Sequence, residues 1–380
     1  MKLYLYVLIL ITACINFSCA TTKHSTGNET IGLLKFLDEY DVPYNTDYKN
    51  TTIGGLSGID YHATSRAYYM ISDDRSEKNP ARFYEAQIII SKNKIDSVVF
   101  TNVKFLKNNS GNNYPNSNTD PYHTPDPEAL RYNPENNTFV WSSEGERIVK
   151  PDKIVLEDPA ITEITAEGNY VDTFQIPPQL HMHPDESGPR QNSVFEGATF
   201  TDNFKTLFVS VEEPLYDDGP RAGLNDSTGI IRILQFDMDT KKPVAQYAYI
   251  LDPVTHAPIP ENAFKINGIP DILSVGKNKF LIIERSYSTG RIACTIKIFL
   301  ADISSAENIN DIASLKNKPQ LKAASKKLLL NMDDLGIYID NIEGITFGPI
   351  LPDGKRSLLF VADNNFNPLE RTQFLLFEIE

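Results

Sequence analysis

Cysteine is nearly missing from this 380-residue chain: there are three, and two of them, Cys14 and Cys19, lie in a leader-like N-terminus. The third, Cys294, stands in the strand pattern Arg291-Ile292-Ala293-Cys294-Thr295-Ile296, where we expect it to be buried and inert. No disulfide framework is available, so stability has to come from an apolar core, and a folded region of about 350 residues is long enough to bury one. Histidine is scarce as well, with six residues. The close pair His181-x-His183 lies in a loop of prolines and acids and reads as solvent-exposed. With no thiolate set and a single close histidine pair, zinc is less favoured than a hard cation. Basic residues are outnumbered 36 to 50, giving a formal charge of −14, which disfavours nucleic acid as a partner. Sustained helical periodicity is rare. Asp302 to Lys327 is the best helical candidate, and we read it as loop decoration. Nucleophile and nucleotide motifs are missing: there is no G-x-S-x-G, P-loop, H-E-x-x-H or dinucleotide fingerprint, and Gly55-Leu56-Ser57-Gly58 has the wrong spacing for a nucleophile elbow.

What is present is a sentence repeated five times. An acid, a glycine and an apolar residue lead into an aromatic; a turn follows; then an apolar strand ends in an acid. The clearest copies are Phe195-Glu196-Gly197-Ala198-Thr199-Phe200 with Leu207 to Glu213, and Ile342-Glu343-Gly344-Ile345-Thr346-Phe347 with Leu358 to Asn365. Weaker copies begin at Leu56-Ser57-Gly58, Pro127-Glu128-Ala129 and Pro270-Asp271-Ile272. The leading slots recur with a period of roughly 70 residues, which marks stacked or radially arranged units.

Each copy holds two short runs rich in Ile, Val, Phe, Tyr and Leu around turn residues, the signature of a hairpin. Strands without intervening helices point to an all-β fold, and a β-propeller removes exposed edges by radial repetition. A β-sandwich is the alternative. The period exceeds a common blade of about 40–50 residues, so long loops (Asn108 to Asp126, Pro177 to Arg190, Tyr216 to Ser227) or a hidden blade must supply the rest. We expect six blades, with five to seven compatible with the spacing. The last run, Gln373 to Glu378, is expected to share a blade with residues 30–36 and so close the ring with strands from both termini.

At the N-terminus, Met1-Lys2 and the apolar run Leu3 to Ile11 read as a secretory signal too short to cross a bilayer. Ile11-Thr12-Ala13-Cys14 and Phe17-Ser18-Cys19 are two candidate lipoprotein boxes. The expectation is a signal peptide over 1–18 (cleavage before Cys14 or Cys19, either of which then carries the lipid), a tether over 19–29 and one domain over 30–380. That places the protein in a bacterial cell envelope, touching membrane only through its lipid anchor, or otherwise secreted.

Equivalent positions of a propeller repeat fall on one ring, so the acids are expected to converge at the axis. One ring holds Glu128, Glu196, Asp271 and Glu343. The other holds Asp73, Glu144, Glu212 or Glu213, Glu284 and Asp363, and of the adjacent pair we chose Glu213. Converging carboxylates repel unless a cation neutralises them, and a hard divalent ion, Ca²⁺ first, takes six to eight oxygens. Arginines stand near the same positions: Arg75, Arg147, Arg190 and Arg285. Arg75 and Arg285, with Glu284, are the candidate catalytic residues, since guanidinium suits phosphate. The bland readings are carboxylates that fix turns, a blade-to-blade salt bridge for Glu284-Arg285, and scattered surface arginines.

At these residues the chain resembles the phytase-like, esterase-like domain family of bacterial secreted proteins and lipoproteins. The matching segments are Gly54 to Asp73-Asp74-Arg75, Asp126-Pro127-Glu128 to Glu144, Asn192 to Glu213-Pro214, Gly268 to Glu284-Arg285-Ser286, and Asn341-Ile342-Glu343-Gly344 to Asp363-Asn364-Asn365-Phe366. The resemblance implies a propeller related to the calcium-dependent β-propeller phytases. Glu157-Asp158-Pro159-Ala160 resembles part of a propeller-phytase motif, but the expected Trp is missing after it and no catalytic role is carried over. The expectation is therefore a cell-envelope phosphoesterase acting on a small phosphorylated substrate through bound Ca²⁺ and Arg. The alternative is a non-catalytic propeller lipoprotein that binds a glycan, peptide or protein at the cell envelope.

Overall fold

Each copy of the repeat becomes one antiparallel four-stranded blade, laid down from the axis outward. The computed structural model describes residues 31–225, 229–316, 318 and 320–380; Cys14, Cys19, the signal segment and the tether lie outside the described residues. Blade 1 comprises Leu56–His62, Ala67–Ser72, Arg82–Ser91 and Lys94–Phe105, and blade 2 Pro127–Asn133, Thr138–Ser143, Ala160–Thr165 and Tyr170–Thr173. Blade 3 comprises Phe195–Thr201, Thr206–Val211, Ile230–Asp237 and Lys242–Ile250. In blade 4 the inner strand is broken into Lys265–Gly268 and Ile272–Gly276, followed by Lys279–Ser288, Thr295–Asp302 and Ser325–Asn331. Blade 5 comprises Asn341–Phe347, Ser357–Asp363 and Thr372–Ile379, and its outer strand is the N-terminal Leu34–Val42, which pairs with Thr372–Ile379. The two termini thus share a blade.

There are five blades rather than six. The long period comes from connections, not from a hidden blade. Strand direction places every connection between second and third strands, and every connection between blades, on one face of the ring. That face holds the long segments 106–126, 144–159, 174–194, 212–229 and 251–264. The opposite face has mostly tight turns. The segment 303–324 is the exception, and its described residues contain no helix. They run along the outer edge of blade 3, where the Ile309 and Ala324 N–H groups donate to the Gln246 and Ala248 carbonyls at 2.9 and 2.8 Å. That segment covers an edge strand that would otherwise offer unpaired backbone groups. Among the described residues the helical elements are two short 3₁₀ turns, Pro178–Leu180 and Met332–Leu335.

Packing between blades explains the continuous apolar runs. In Leu358-Leu359-Phe360-Val361, Leu358 and Phe360 join the cluster shared with Leu281 and Ile283 of blade 4. Leu359 and Val361 point the other way, against Ile59 and Met70 of blade 1. Side chains alternate along a strand, so a strand buried on both faces is apolar at every position. The same holds in blade 3, where Leu207 and Val209 pack toward blade 2 and Phe208 toward blade 4. Trp141 and Phe139 join blades 2 and 1. Five such interfaces surround the axis.

The axis itself is plugged by an ion pair. Arg131 of blade 2 is buried, and its Nε donates to the Ala198 carbonyl of blade 3 at 2.5 Å. Nη1 donates to the Ile59 carbonyl of blade 1, and Nη2 to both Asp271 oxygens of blade 4 at 2.7 Å. Asp271 in turn accepts the Ile345 N–H of blade 5 at 2.9 Å. One arginine and one aspartate therefore link all five blades.

Candidate metal centre

The acid slot is a β-bulge. In blades 1, 2, 3 and 5 the inner strand shifts register at Leu56/Gly58, Pro127/Leu130, Phe195/Ala198 and Ile342/Gly344. A bulge re-aims the extra residue, here Ser57, Glu128, Glu196 and Glu343. The glycine after the acid serves packing between blades. A Cβ on Gly197 would stand 2.6 Å from Asp271 Cα of the next inner strand, so only glycine allows that approach.

Register also decides which acids of the second ring reach the mouth. Just before the slots, Leu56, Pro127, Phe195 and Ile342 pair with Ser72, Ser143, Val211 and Ala362. The residues that follow those partners are Asp73, Glu144, Glu212 and Asp363. Glu212, not Glu213, is thus the axial acid of blade 3. Glu213 turns to the side, where its Oε2 accepts from Ser193 Oγ at 2.6 Å and pairs with Arg221 at 2.8 Å, while its Oε1 is buried without a partner.

Blade 4 departs from the pattern. Its inner strand is interrupted between Gly268 and Ile272, and Gly268 pairs with Arg285. Glu284 points away from the axis. It accepts from Tyr249 Oη, Asn267 Nδ2, Lys326 Nζ and the Asp252 N–H at 2.6–2.9 Å. Its four partners make Glu284 a brace between blades 3 and 4, in place of the catalytic role expected of it. Both Asp271 oxygens, expected to hold metal, are bonded in the axial plug. Arg285 enters the mouth instead, donating to Glu343 Oε1 at 2.6 Å and Glu212 Oε1 at 2.9 Å.

Two groups of carboxylates meet closely enough to share ions. Asp126, Glu128 and Glu144 bring one oxygen each within 4.8 Å of one another, and so do Glu144, Glu196 and Glu212. Glu144 belongs to both. It is 1% exposed; one oxygen accepts the Val194 N–H, and the other, Oε2, is buried without a partner. Burial, reinforced by the neighbouring acids, pushes Glu128, Glu144 and Glu196 well above the usual carboxylate range. Asp126 is pushed up to about 7 by burial, against the pull of Arg75. Asp73, Glu343 and Asp363 are also raised by burial. Asp363 Oδ2 is a second buried oxygen without a partner.

The donors are all hard oxygens, and an orphaned carboxylate oxygen sits where the two groups meet. This set fits Ca²⁺ or a similar ion. Of the expected ligands, Glu128, Glu144 and Glu196 lie in these groups. Asp73, Glu343 and Asp363 line the mouth beside them. Asp126 lies outside the expected ligands, and Glu212, the alternative to Glu213, takes the mouth position. The signal for Glu212 was register with the slot, and for Asp126 its place two residues before Glu128. Arg75 sits at the rim, bound to Glu146 at 2.5 Å, with its Nε 3.8 Å from Asp126. Arg147 and Arg190 do not reach the acids; they stack on Tyr216 and donate to loop carbonyls. His181 is half-exposed and bonds Asp158 at 2.6 Å. Cys294 is buried, with its thiol pushed up to about 11 by burial.

A family model described as phytase-like, esterase-like activity of phytase, matches residues 51–366. None of the curated proteins matches the chain. Solved structures show likeness at low identity. An α-L-arabinofuranosidase from Lactobacillus brevis is 10% identical, with 86% of this chain and 91% of that one covered and a TM-score of 0.44. An endo-arabinase from Bacteroides thetaiotaomicron is 10% identical over 90% and 97%, with a TM-score of 0.41. The periplasmic gluconolactonase of Pseudomonas aeruginosa is 10% identical over 92% and 96%, with a TM-score of 0.37. At these values they carry nothing about this chain's chemistry.

Proposed function

The chain belongs to the phytase-like family, and from that premise we propose that its acidic mouth is the centre of a divalent-cation-dependent phosphoester hydrolase of the cell envelope, with Ca²⁺ as the ion. The observation that carries this reading is Glu144 Oε2, buried and unpartnered at the junction of the two carboxylate groups. Asp126, Glu128 and Glu144 would hold one ion, and Glu144, Glu196 and Glu212 a second. A bound divalent cation supplies Lewis-acid polarisation of a phosphoryl oxygen and a water of lowered pKa, which suits a chain with no nucleophile motif.

The chain's own groups then have distinct tasks. Arg285 positions Glu212 and Glu343 and keeps a fixed positive charge beside the acids. Arg75 holds the rim through Glu146 and Asp126 and adds a guanidinium on the side where a phosphate would approach. Glu157, on the hairpin that follows Glu144, has a buried oxygen without a partner and is pushed up to about 8 by burial. Burial favours its protonated form, which would suit it to protonate a leaving group.

The test is hydrolysis of phosphomonoesters and diesters by the mature protein, with Ca²⁺ and with chelator, in the parent and in Glu144→Gln. Turnover that needs the ion and is lost in the variant is expected. Ion binding without turnover of any ester would leave the alternative, a binding propeller. An envelope location through Cys14 or Cys19 belongs to the same proposal. Lipid-analogue labelling that persists in the Cys14→Ala/Cys19→Ala double variant would refute it.

A further inference from the structure

The mouth face carries apolar side chains at its loop tips. Ile292 and Leu369 are 88% and 84% exposed. Val149 and Ile154 sit opposite each other near the end of the hairpin Glu146–Lys150/Lys153–Glu157, and both are exposed. Ile259 and Phe264, on the connection between blades 3 and 4, are exposed too. On the opposite face, among the described residues, Leu33 and Ile350 are exposed, and Ile89, Val171 and Val244 lie exposed near the strand ends that reach it.

These tips are spread over blades 2, 4 and 5 and the connection between 3 and 4, with the acidic mouth between them. No small ligand reaches them together; a partner that touches them all is broad and flat. Basic residues stand at their shoulders. Lys150 follows Val149, Lys153 precedes Ile154, Lys265 follows Phe264 and Arg291 precedes Ile292. Three acids stand among them, Asp152 between the two lysines of the hairpin tip, Glu261 after Ile259-Pro260 and Glu370 after Leu369, so the cationic shoulders are those of Val149, Ile154, Phe264 and Ile292. The mouth acids Glu128, Glu144, Glu196, Glu212 and Glu343, by contrast, are withdrawn from the surface and buried. An aliphatic tip with a cationic shoulder suits an anionic lipid interface, where the apolar part enters below the headgroups and the charge stays level with the phosphates.

We propose that the mouth-side loops dock this protein on an anionic lipid surface, with Val149, Ile154 and Ile292 inserting. This contact is separate from the N-terminal lipid expected from the sequence, since the residues it uses lie between 149 and 292. It does not depend on cation chemistry in the mouth.

The experiment is co-sedimentation of the full chain, carrying Cys14→Ser and Cys19→Ser so that no attached lipid contributes. Vesicles of phosphatidylcholine with phosphatidylglycerol are compared with phosphatidylcholine alone, each in chelator. Binding to the anionic vesicles that weakens with salt is expected. The triple variant Val149→Ser/Ile154→Ser/Ile292→Ser should lower the partition constant by about tenfold or more. Its thermal melt should not move, because the three residues are exposed. Equal binding by parent and triple variant would overturn the proposal, and so would no preference of the parent for the anionic vesicles. Self-association of the parent without vesicles, abolished in the triple variant while vesicles bind neither, would make this rim a protein interface instead. Failure of the hydrolysis assay would leave the lipid result untouched.

Discussion

Blades 3 and 4 are built from the same sentence, yet their acids do opposite work. In blade 3, Glu196 and Glu212 reach the mouth, where burial and like charge hold Glu196 well above its usual range. In blade 4, Asp271 meets Arg131 and two backbone N–H groups, and Glu284 has four partners of its own. The difference lies in one interruption of the inner strand, which turns Glu284 outward and brings Arg285 to the axis. An acid in a repeat slot is structural where cations and backbone N–H groups take up its oxygens, as at Asp271 and Glu284. It becomes a ligand candidate where its oxygen lies close to those of two other carboxylates, as at Glu144, Glu196 and Glu212.

The largest effect should come from breaking the satisfied side. Arg131→Met leaves Asp271 buried without its cation, and one-sided loss of a buried pair costs about 3–5 kcal/mol. Denaturant unfolding should show that loss, and Arg131→Met/Asp271→Leu should recover part of it, because the orphaned charge is gone. A double variant no better than the single would mean that Asp271 matters chiefly through its N–H bonds to Ile345 and Ile272.

Removing an acid on the unsatisfied side should have the opposite sign. In chelator, Glu196→Gln relieves repulsion and should stabilise the fold by roughly 1 kcal/mol, about the worth of one pKa unit. Its Ca²⁺ affinity should fall tenfold or more, or about 1.4 kcal/mol. Melts in chelator together with calorimetric titration of the ion would show both. A variant that is less stable in chelator and binds the ion normally would make Glu196 a turn-fixing residue.

The contrast should also appear as a pH dependence. Asp126 is raised to about 7 and Glu157 to about 8 by burial. A carboxyl whose folded pKa lies above its unfolded value near 4 favours the folded state while protonated. That stability is fully present below the unfolded value and is lost as pH rises through the folded one. Without ion, the melting temperature should therefore fall by several degrees between about pH 6 and 8.5. Saturating Ca²⁺ should reverse the fall, since an ion at 100 times its Kd adds about 2.7 kcal/mol. Superimposable melts in ion and chelator would remove the cation from the mouth.

The smallest effect separates two adjacent residues. Glu212→Gln should weaken ion binding. Glu213→Gln should leave ion binding intact and lower stability by about 1–2 kcal/mol, through its bonds to Ser193 and Arg221. Identical ion affinities in the two variants would remove Glu212 from the site.

Much of this protein was legible as sequence. Five copies of one sentence are five blades, and continuous apolar runs such as Leu358 to Ala362 mark strands buried on both faces. The sixth blade was inferred from a long period, but chain length cannot tell a loop from a blade. The acids of blades 2, 3 and 5 were found because equivalent slots of a radial repeat fall on one ring. Tertiary structure alone decided which of them face the mouth. Glu212 and Glu213 differ by one step along the chain, and a single step at a strand end changes the side to which a carboxylate points. Arg131 carries no motif, because its partners are carbonyls and a carboxylate contributed by other blades. Local sequence specifies strands and turns; charges are matched between blades by residues about 70 or 140 positions apart, as in Arg285–Glu212 and Arg131–Asp271, and only the closed ring brings those together.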